Sequence, residues 1–301
     1  CIRDRSSATL PTAMAYIGDS TSEEERGGGM GMLGAAMGVG MVLGPGLAGP
    51  LAERSLSLPF FVAAGLSIVS LLFVLFVLPE SLPKEDRAQP KGGLHGPQLG
   101  KMWSALFGPI GFLLVLAFLL SFGLTNFEAV FGLFALERYD YGPTQVALVL
   151  TVIGLISALV QGVLTGPLTK RWGEVAVIRA SLFGSAVGFV LMLQATNMAG
   201  VLLTVGFFII SNSLLRPAVS SLISRRAAGG QGMAMGLNNS FMSLGRIVGP
   251  IWAGFIFDAS IGYPYLSGSV IMLVGFATSL LWLKRDPPVQ DRPLQEPEPL
   301  L

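Results

Sequence analysis

The sequence runs to 301 residues, of which 52% are hydrophobic and only 12% charged, with a formal net charge of +1 and a mean hydropathy of +0.67. A soluble domain carries about twice that charged fraction, and several apolar runs exceed the ~18 residues that cross about 30 Å of hydrocarbon, so an all-α integral membrane protein is expected. One cysteine (Cys1) and one histidine (His95) exclude an internal disulfide, a zinc ligand set and a Ser/His or Cys/His nucleophile pair, which argues against an enzyme.

In chain order, residues 6–18 form an apolar segment too short to cross a bilayer. The chain begins with Cys rather than Met and shows no signal-peptide pattern; it is expected to be a piece cut near the start of a helix, and the charged opening CIRDR has no account. SEEERGGG then reads as a solvated loop. Eight complete spans are predicted at approximately 30–52, 59–79, 107–136, 144–165, 177–196, 199–222, 233–257 and 264–283. The third is long enough to tilt or bend, with Gly108-Pro109 and Gly123 as soft points. Before it, ESLPKEDRAQPKGGLHGPQLGK (80–101) is rich in Pro, Gly and charge and reads as a linker between two bundles. After the last span, DPPVQDRPLQEPEPLL reads as a disordered tail. The expected organisation is the remainder of a first bundle at 1–79, a linker at 80–101, a six-helix bundle at 102–283 and a tail at 284–301.

Alternate loops differ in basic residues, and that bias sets orientation. One set holds Arg26, Lys84, Arg87, Lys91, Lys101, Lys170, Arg171, Arg179, Arg225, Arg226, Lys284, Arg285 and Arg292; the other holds only Arg54 and Arg138. The first set, the linker and the C-terminus are therefore expected on the cytoplasmic side.

The chain also repeats itself. Shifted by 205 positions, MGMLGAAMGVGMVLGPGLAGPLAE (30–53) meets MGLNNSFMSLGRIVGPIWAGFIFD (235–258). Gly40, Gly44, Pro45 and Gly49 fall on Gly245, Gly249, Pro250 and Gly254, and Pro59 meets Pro264. Glycines let helix backbones approach closely and Pro bends the helix, so the repeat reads as a gating or packing element. Both copies run outward from the cytoplasm. Parallel six-helix halves related by an axis along the membrane normal are the plan of major facilitator transporters. The expected fold is two pseudo-symmetric bundles of that kind, the first incomplete; equal bundles would require about three and a half further spans ahead of Cys1.

Glu128 is the only acid deep within a complete span; Asp19, Glu53 and Asp258 fall at span ends. It lies ten residues from Arg138, or about 15 Å at helical rise, where insertion of an acid costs on the order of 3 kcal/mol. Ser121, Thr125, Glu128, Gly132 and Ala135 recur at 4, 3, 4, 3 spacing as one small and polar stripe, with Phe127, Phe131 and Phe134 beside it. That pattern suits a helix lining a wet cavity that accepts flat amphipathic cations; it also suits a neutral glutamic acid hydrogen-bonded to a neighbouring helix. Arg216 shares a face with Ser213 and Ser220, and Arg246 with Met235, Asn239 and Met242. Each buried arginine needs a partner, and one glutamate cannot satisfy two. Asn126, Gln161, Asn212, Asn238 and Asn239 can bond a cargo or hold helices together. The twelve methionines read as packing.

Several stretches resemble major facilitator drug:proton antiporters. GVGMVLGPGLAGP resembles the signature of that group's fifth span, and AYIGD…EEERGGGMG the exit of the span before it. GPLTKRWGE, with Gly166, Arg171 and Gly173, resembles the second-half copy of the family's cytoplasmic loop motif, although Lys170 stands where the motif has Asp. More narrowly, FGLTNFEAVFGLF, LLRPAVSSLISRRAAGGQG and GLNNSFMSLGRIVGPIWAGFIFD are similar to multidrug efflux pumps of the NorA/Bmr type, over essentially residues 8–283. The resemblance implies proton-driven export of amphipathic, often cationic drugs from a bacterial cell membrane. Glu128 then takes the place of the family's glutamate for proton coupling and drug binding; Thr125, Asn126, Phe127 and Phe131 are candidates with it by their places on the same helix. Arg216 takes that of the arginine in the Arg-Pro-Ala piece. Ser213 stands where such pumps can carry an Asp.

The expected partners are a small molecule, protons and the lipid bilayer, with no nucleic acid, no cofactor beyond the proton gradient, and a monomer as the working unit. The alternatives are a transporter of the same fold for a metabolite such as a sugar or organic acid, and a non-transporting membrane scaffold.

Overall fold

The computed structural model describes residues 13, 16–17, 26–77, 106–108, 110–226 and 231–283. The expected linker, the tail and nearly all of the first short segment lie outside the described residues. Every regular element among the described residues is a helix: α1 Arg26–Arg54, α2 Leu58–Val77, α3 Gly111–Tyr139, α4 Pro143–Leu159, a π-helical turn Val160–Leu164, α5 Thr165–Trp172, α6 Glu174–Met192, α7 Met198–Arg226, α8 Gln231–Phe257 and α9 Tyr263–Trp282. Among the described residues, eight stretches, with Pro143–Trp172 counted as one, are long and apolar enough to cross a membrane.

Several helices overrun the predicted spans, while α2 and α6 stop short of them, at Val77 and Met192 rather than 79 and 196. α3 continues to Tyr139 rather than 136, α7 to Arg226 rather than 222, and the fourth span through α5 to Trp172 rather than 165. A helix satisfies its own backbone in the headgroup layer as well as in hydrocarbon. Basic residues in the last turn, Arg138, Arg225 and Arg226, also favour the negative end of the helix dipole. α3 closes on Asp140, in the left-handed region at φ 55°, with its N–H on Leu136 O at 2.9 Å and Tyr141 N–H on Ala135 O at 3.2 Å.

Contacts divide the chain into two compact units, residues 1–98 with 142–155, and residues 99–141 with 156–301. The first half of α4 thus groups with the first unit. There, α1 and α4 meet through small residues. A Cβ on Gly49 would strike Ala147 Cβ, one on Gly154 would lie 2.8 Å from Met41 O, and one on Gly46 would lie 3.2 Å from Thr151 Oγ1. α2 is apolar around its whole circumference and has no buried residue, as suits a helix facing lipid.

In the second unit α3 packs along α8, α6 along α7, and α9 against α6 and α3. Long polar side chains tie helix ends. Arg138 Nη2 donates to Leu193 O at 2.7 Å and Tyr139 Oη to Ala195 O at 2.8 Å, satisfying carbonyls at the end of α6. Arg179 Nη2 does the same for Ser279 O at 3.1 Å and Leu283 O at 2.6 Å at the end of α9.

Candidate functional site

α3 carries four adjacent candidates, and the helix separates them. Phe127 and Phe131 are 0% and 2% exposed. They sit in an aromatic cluster, with ring centroids at 5.0 Å for Phe127–Phe131, 5.5 Å for Phe127–Phe208, and 4.5 Å for both Phe189–Phe208 and Phe134–Tyr265. The stripe expected to flank a wet cavity is instead the packed centre of the bundle. The small stripe is largely interior as well, with Ser121 and Ala135 at 3% and 0% exposure, and only Glu128 of it is exposed. Asn126 is fully buried, its Nδ2 donating to Pro264 O at 2.9 Å. Thr125 Oγ1 bonds Ser121 O at 2.8 Å within its own helix and reaches Gly245 O on α8 at 3.3 Å. Glu128 alone of the four is exposed.

α8 holds Arg246 within electrostatic range of Glu128. A Cβ on Gly245 would lie 2.5 Å from Phe118 O and 2.9 Å from Phe122 N; one on Gly249 would strike Thr125 Oγ1 and lie 2.9 Å from Phe122 O. Only glycine allows that approach, and it sets the backbones of α3 and α8 against each other. Gly245 and Gly249 lie buried in the contact, while Arg246 stands exposed beside it. From there Arg246 interacts electrostatically with Glu128, and also with Arg216 on α7, which is likewise exposed. Among the described residues no direct ion pair joins any two of the three. Asn239, seven residues before Arg246, is exposed on α8 and lines an open cavity of about 370 Å³ with Ser240, Ser243, Leu244 and Ile247.

Below Arg216, Ser213 Oγ donates to Ser157 Oγ at 3.2 Å, joining α7 to α4. Gln161 lies one turn beyond Ser157, exposed, within the π-helical turn Val160–Leu164. Thr165 Oγ1 bonds Val160 O at 3.0 Å across that turn. Asn212 is 4% exposed, and its Nδ2 has no hydrogen-bond partner among the described residues. Asn238 is also buried, donating to Ser220 Oγ at 3.3 Å. The arrangement therefore gathers Glu128, Arg246 and Arg216 on one open face, with Asn239 on the helix of Arg246. Asn126, Phe127, Phe131 and Asn212 lie buried in the bundle interior. Ser157 and Ser243 were not singled out in the sequence; their only signal is a spacing of four before Gln161 and three before Arg246.

The two Gly-Pro copies use different faces. In α8, Gly245 and Gly249 are in close contact and Gly254 is open; in α1, Gly49 is in close contact and Gly40 and Gly44 are open. Pro45 and Pro250 both lie inside their helices. In the loop motif, Gly166 is open and Arg171 exposed, while Gly173 has φ +77°, which a side chain would resist. The acid of this loop is Glu174. Arg225 Nη1 donates to both its oxygens at 2.8 Å, and Ser221 Oγ donates at 3.2 Å. That pair was not foreseen, because the motif directs attention to Lys170.

Comparison with known proteins places this geometry. The Major Facilitator Superfamily profile matches residues 6–165 and 113–301. The chain is 32% identical over 280 residues to multidrug resistance protein 2 of Bacillus subtilis (strain 168), covering 92% of this chain and 69% of that protein. It is 29% identical over 273 residues to quinolone resistance protein NorA of Staphylococcus aureus (strain COL), covering 90% of this chain and 69% of that one. Among solved structures, the human organic anion transporter MFSD10 (TETRAN) superposes with a TM-score of 0.63 at 25% identity, covering 88% of this chain and 66% of that one. The chain spans about two thirds of the length of these proteins.

Proposed function

Because the chain belongs to the Major Facilitator Superfamily, we propose that it takes part in proton-coupled export of amphipathic drugs by alternating access, with its C-terminus in the cytoplasm and no cofactor but the proton gradient. Its bacterial relatives are multidrug and quinolone resistance proteins, which supports drugs over sugars as cargo. The human relative transports organic anions, which supports a cargo that carries a negative group.

The observation that carries the reading is Glu128, an acid in mid-span on an open face with arginine within electrostatic reach. In the outward-facing state Glu128 takes a proton and releases the cationic end of the cargo. In the inward-facing state it loses the proton and can hold the next. Arg246 tempers the exchange by offering Glu128 a counter-ion while the site is empty, which lowers the cost of a bare carboxylate at that depth. Expression, in a drug-sensitive bacterium, of the complete gene that encodes this chain tests this. Dye extrusion and quinolone tolerance should rise, collapse with a protonophore, and be lost in Glu128→Gln; extrusion unchanged by that substitution would refute the coupling role.

A further inference from the structure

Several basic side chains near helix ends are already in use. Arg138 donates to Leu193 O, Arg179 to Ser279 O and Leu283 O, and Arg225 to Glu174. Lys170 and Arg171, in the last turn of α5, differ from these. Both are exposed, and neither makes a hydrogen bond or ion pair among the described residues. Trp172 follows them at 57% exposure, its indole N–H also without a partner among the described residues. The acid nearest in sequence is spent elsewhere, since Glu174 takes Arg225 with both oxygens and accepts from Ser221. Lys170 also stands where the loop motif has Asp, so a position that would bring a negative charge brings a positive one.

The depth of this turn follows from length. The stretch Pro143–Trp172 has 30 residues, about 45 Å at helical rise, against about 30 Å of hydrocarbon or about 45 Å with both headgroup layers. Its last turn therefore ends among headgroups. Exposed apolar side chains, Val163 and Leu164 at 60% and 41%, come just before it. Gly173, at φ +77°, then breaks the helix. Tryptophan is favoured at that boundary because its ring is apolar while its N–H seeks a polar partner. Consecutive residues project about 100° apart, so the ammonium, the guanidinium and the indole N–H surround the helix end. They form a donor set for phosphodiester and ester oxygens. A soluble acidic partner would match the two cations but gives no reason for an exposed indole at headgroup depth.

We propose that the turn between α5 and α6 docks anionic phospholipid, with Lys170 and Arg171 taking the phosphate and Trp172 the ester region below it. Lys170 sets the preference for net negative charge. With Asp at that position the turn would carry one acid beside one base and would not favour an anionic headgroup over a zwitterionic one. The site stands apart from the drug-export reading and does not depend on it.

Quenching by brominated lipid tests it in the complete protein that carries this chain. The protein is placed in phosphatidylcholine nanodiscs containing a varied share of brominated phosphatidylglycerol or brominated phosphatidylcholine. Fluorescence of Trp172 is taken as the difference from Trp172→Phe, so that other tryptophans cancel. Phosphatidylglycerol should associate at Trp172 at least about fivefold more strongly than phosphatidylcholine, the worth of one basic side chain near an anionic surface. Lys170→Gln with Arg171→Gln should bring that ratio to about one, and Lys170→Arg with Arg171→Lys should keep it. A ratio of about one in the unsubstituted protein would overturn the proposal, as would a ratio that the double glutamine variant leaves intact. Inorganic phosphate, added against chloride at equal ionic strength, should leave the ratio unchanged; its loss to phosphate alone would mark a general anion site and overturn the lipid assignment. A preference that appears only after removal of the acidic tail, residues 286–301, would make the tail the occupant and overturn it as well.

Discussion

Gly249 on α8 lies so close to α3 that a Cβ there would sit 2.9 Å from the carbonyl oxygen of Phe122 and strike the hydroxyl of Thr125. This contact, with Gly245 one turn earlier, fixes the register of α8 along α3 and holds Arg246 within electrostatic range of Glu128. A repeat that reads in the sequence as a packing motif thus determines the electrostatics of the open face.

Gly245→Ala and Gly249→Ala should each destabilise the chain by about 1–3 kcal/mol, since backbone atoms must move to admit the methyl. Gly254→Ala and Gly44→Ala, whose Cβ positions meet nothing within 4 Å, should be neutral or slightly stabilising through helix propensity. Thermal unfolding in detergent would separate the two pairs, and equal losses in all four would contradict the assignment of faces.

Asn126→Ala should cost about 1–3 kcal/mol, because a fully buried donor to Pro264 O is lost from the α3–α9 contact. Drug selectivity should be unmoved by it. A shift in dye preference without loss of stability would return Asn126 to the binding face.

How much of this was legible in the sequence depended on the range of the interaction. The spans, the Gly-Pro repeat and the depth of Glu128 follow from hydropathy and counting along one helix. The aromatic stripe did not, because periodicity shows that two faces differ without showing which one turns inward. Phe127 and Phe131 went to the interior on the strength of Phe189, Phe208 and Tyr265, partners on other helices. The electrostatic reach of Arg246 to Glu128 depends on a register set 118 positions away in sequence. The π-helical turn left no mark in composition.

That turn can be tested by removing it. Deleting Val163 should convert Val160–Leu164 to an ordinary α turn and leave Thr165–Trp172 on its present face, because the wide turn absorbs one extra residue and both forms turn through about 400°. Labelling of a cysteine at position 165 should be unchanged in the deletion; a faster rate would show that the face has rotated.

Glu174 and Arg225 form a bidentate pair whose side chains are 15% and 40% exposed. Partial exposure limits its worth to roughly 1 kcal/mol or less. A double-mutant cycle of Glu174→Gln and Arg225→Gln should therefore give a small coupling energy that falls with added salt. Coupling above that size and insensitive to salt would mean that the pair is more shielded than its geometry shows.

The central claim is that Glu128 exchanges a proton for cargo, and proton release on binding tests it most directly. In weakly buffered solution with a pH indicator, adding rhodamine B at saturating concentration to the whole chain in nanodiscs should release up to about one proton per molecule bound at a pH where Glu128 is protonated in the empty site. Glu128→Gln should release none. Equal proton release from the substituted chain would place the exchanging group elsewhere and contradict the account.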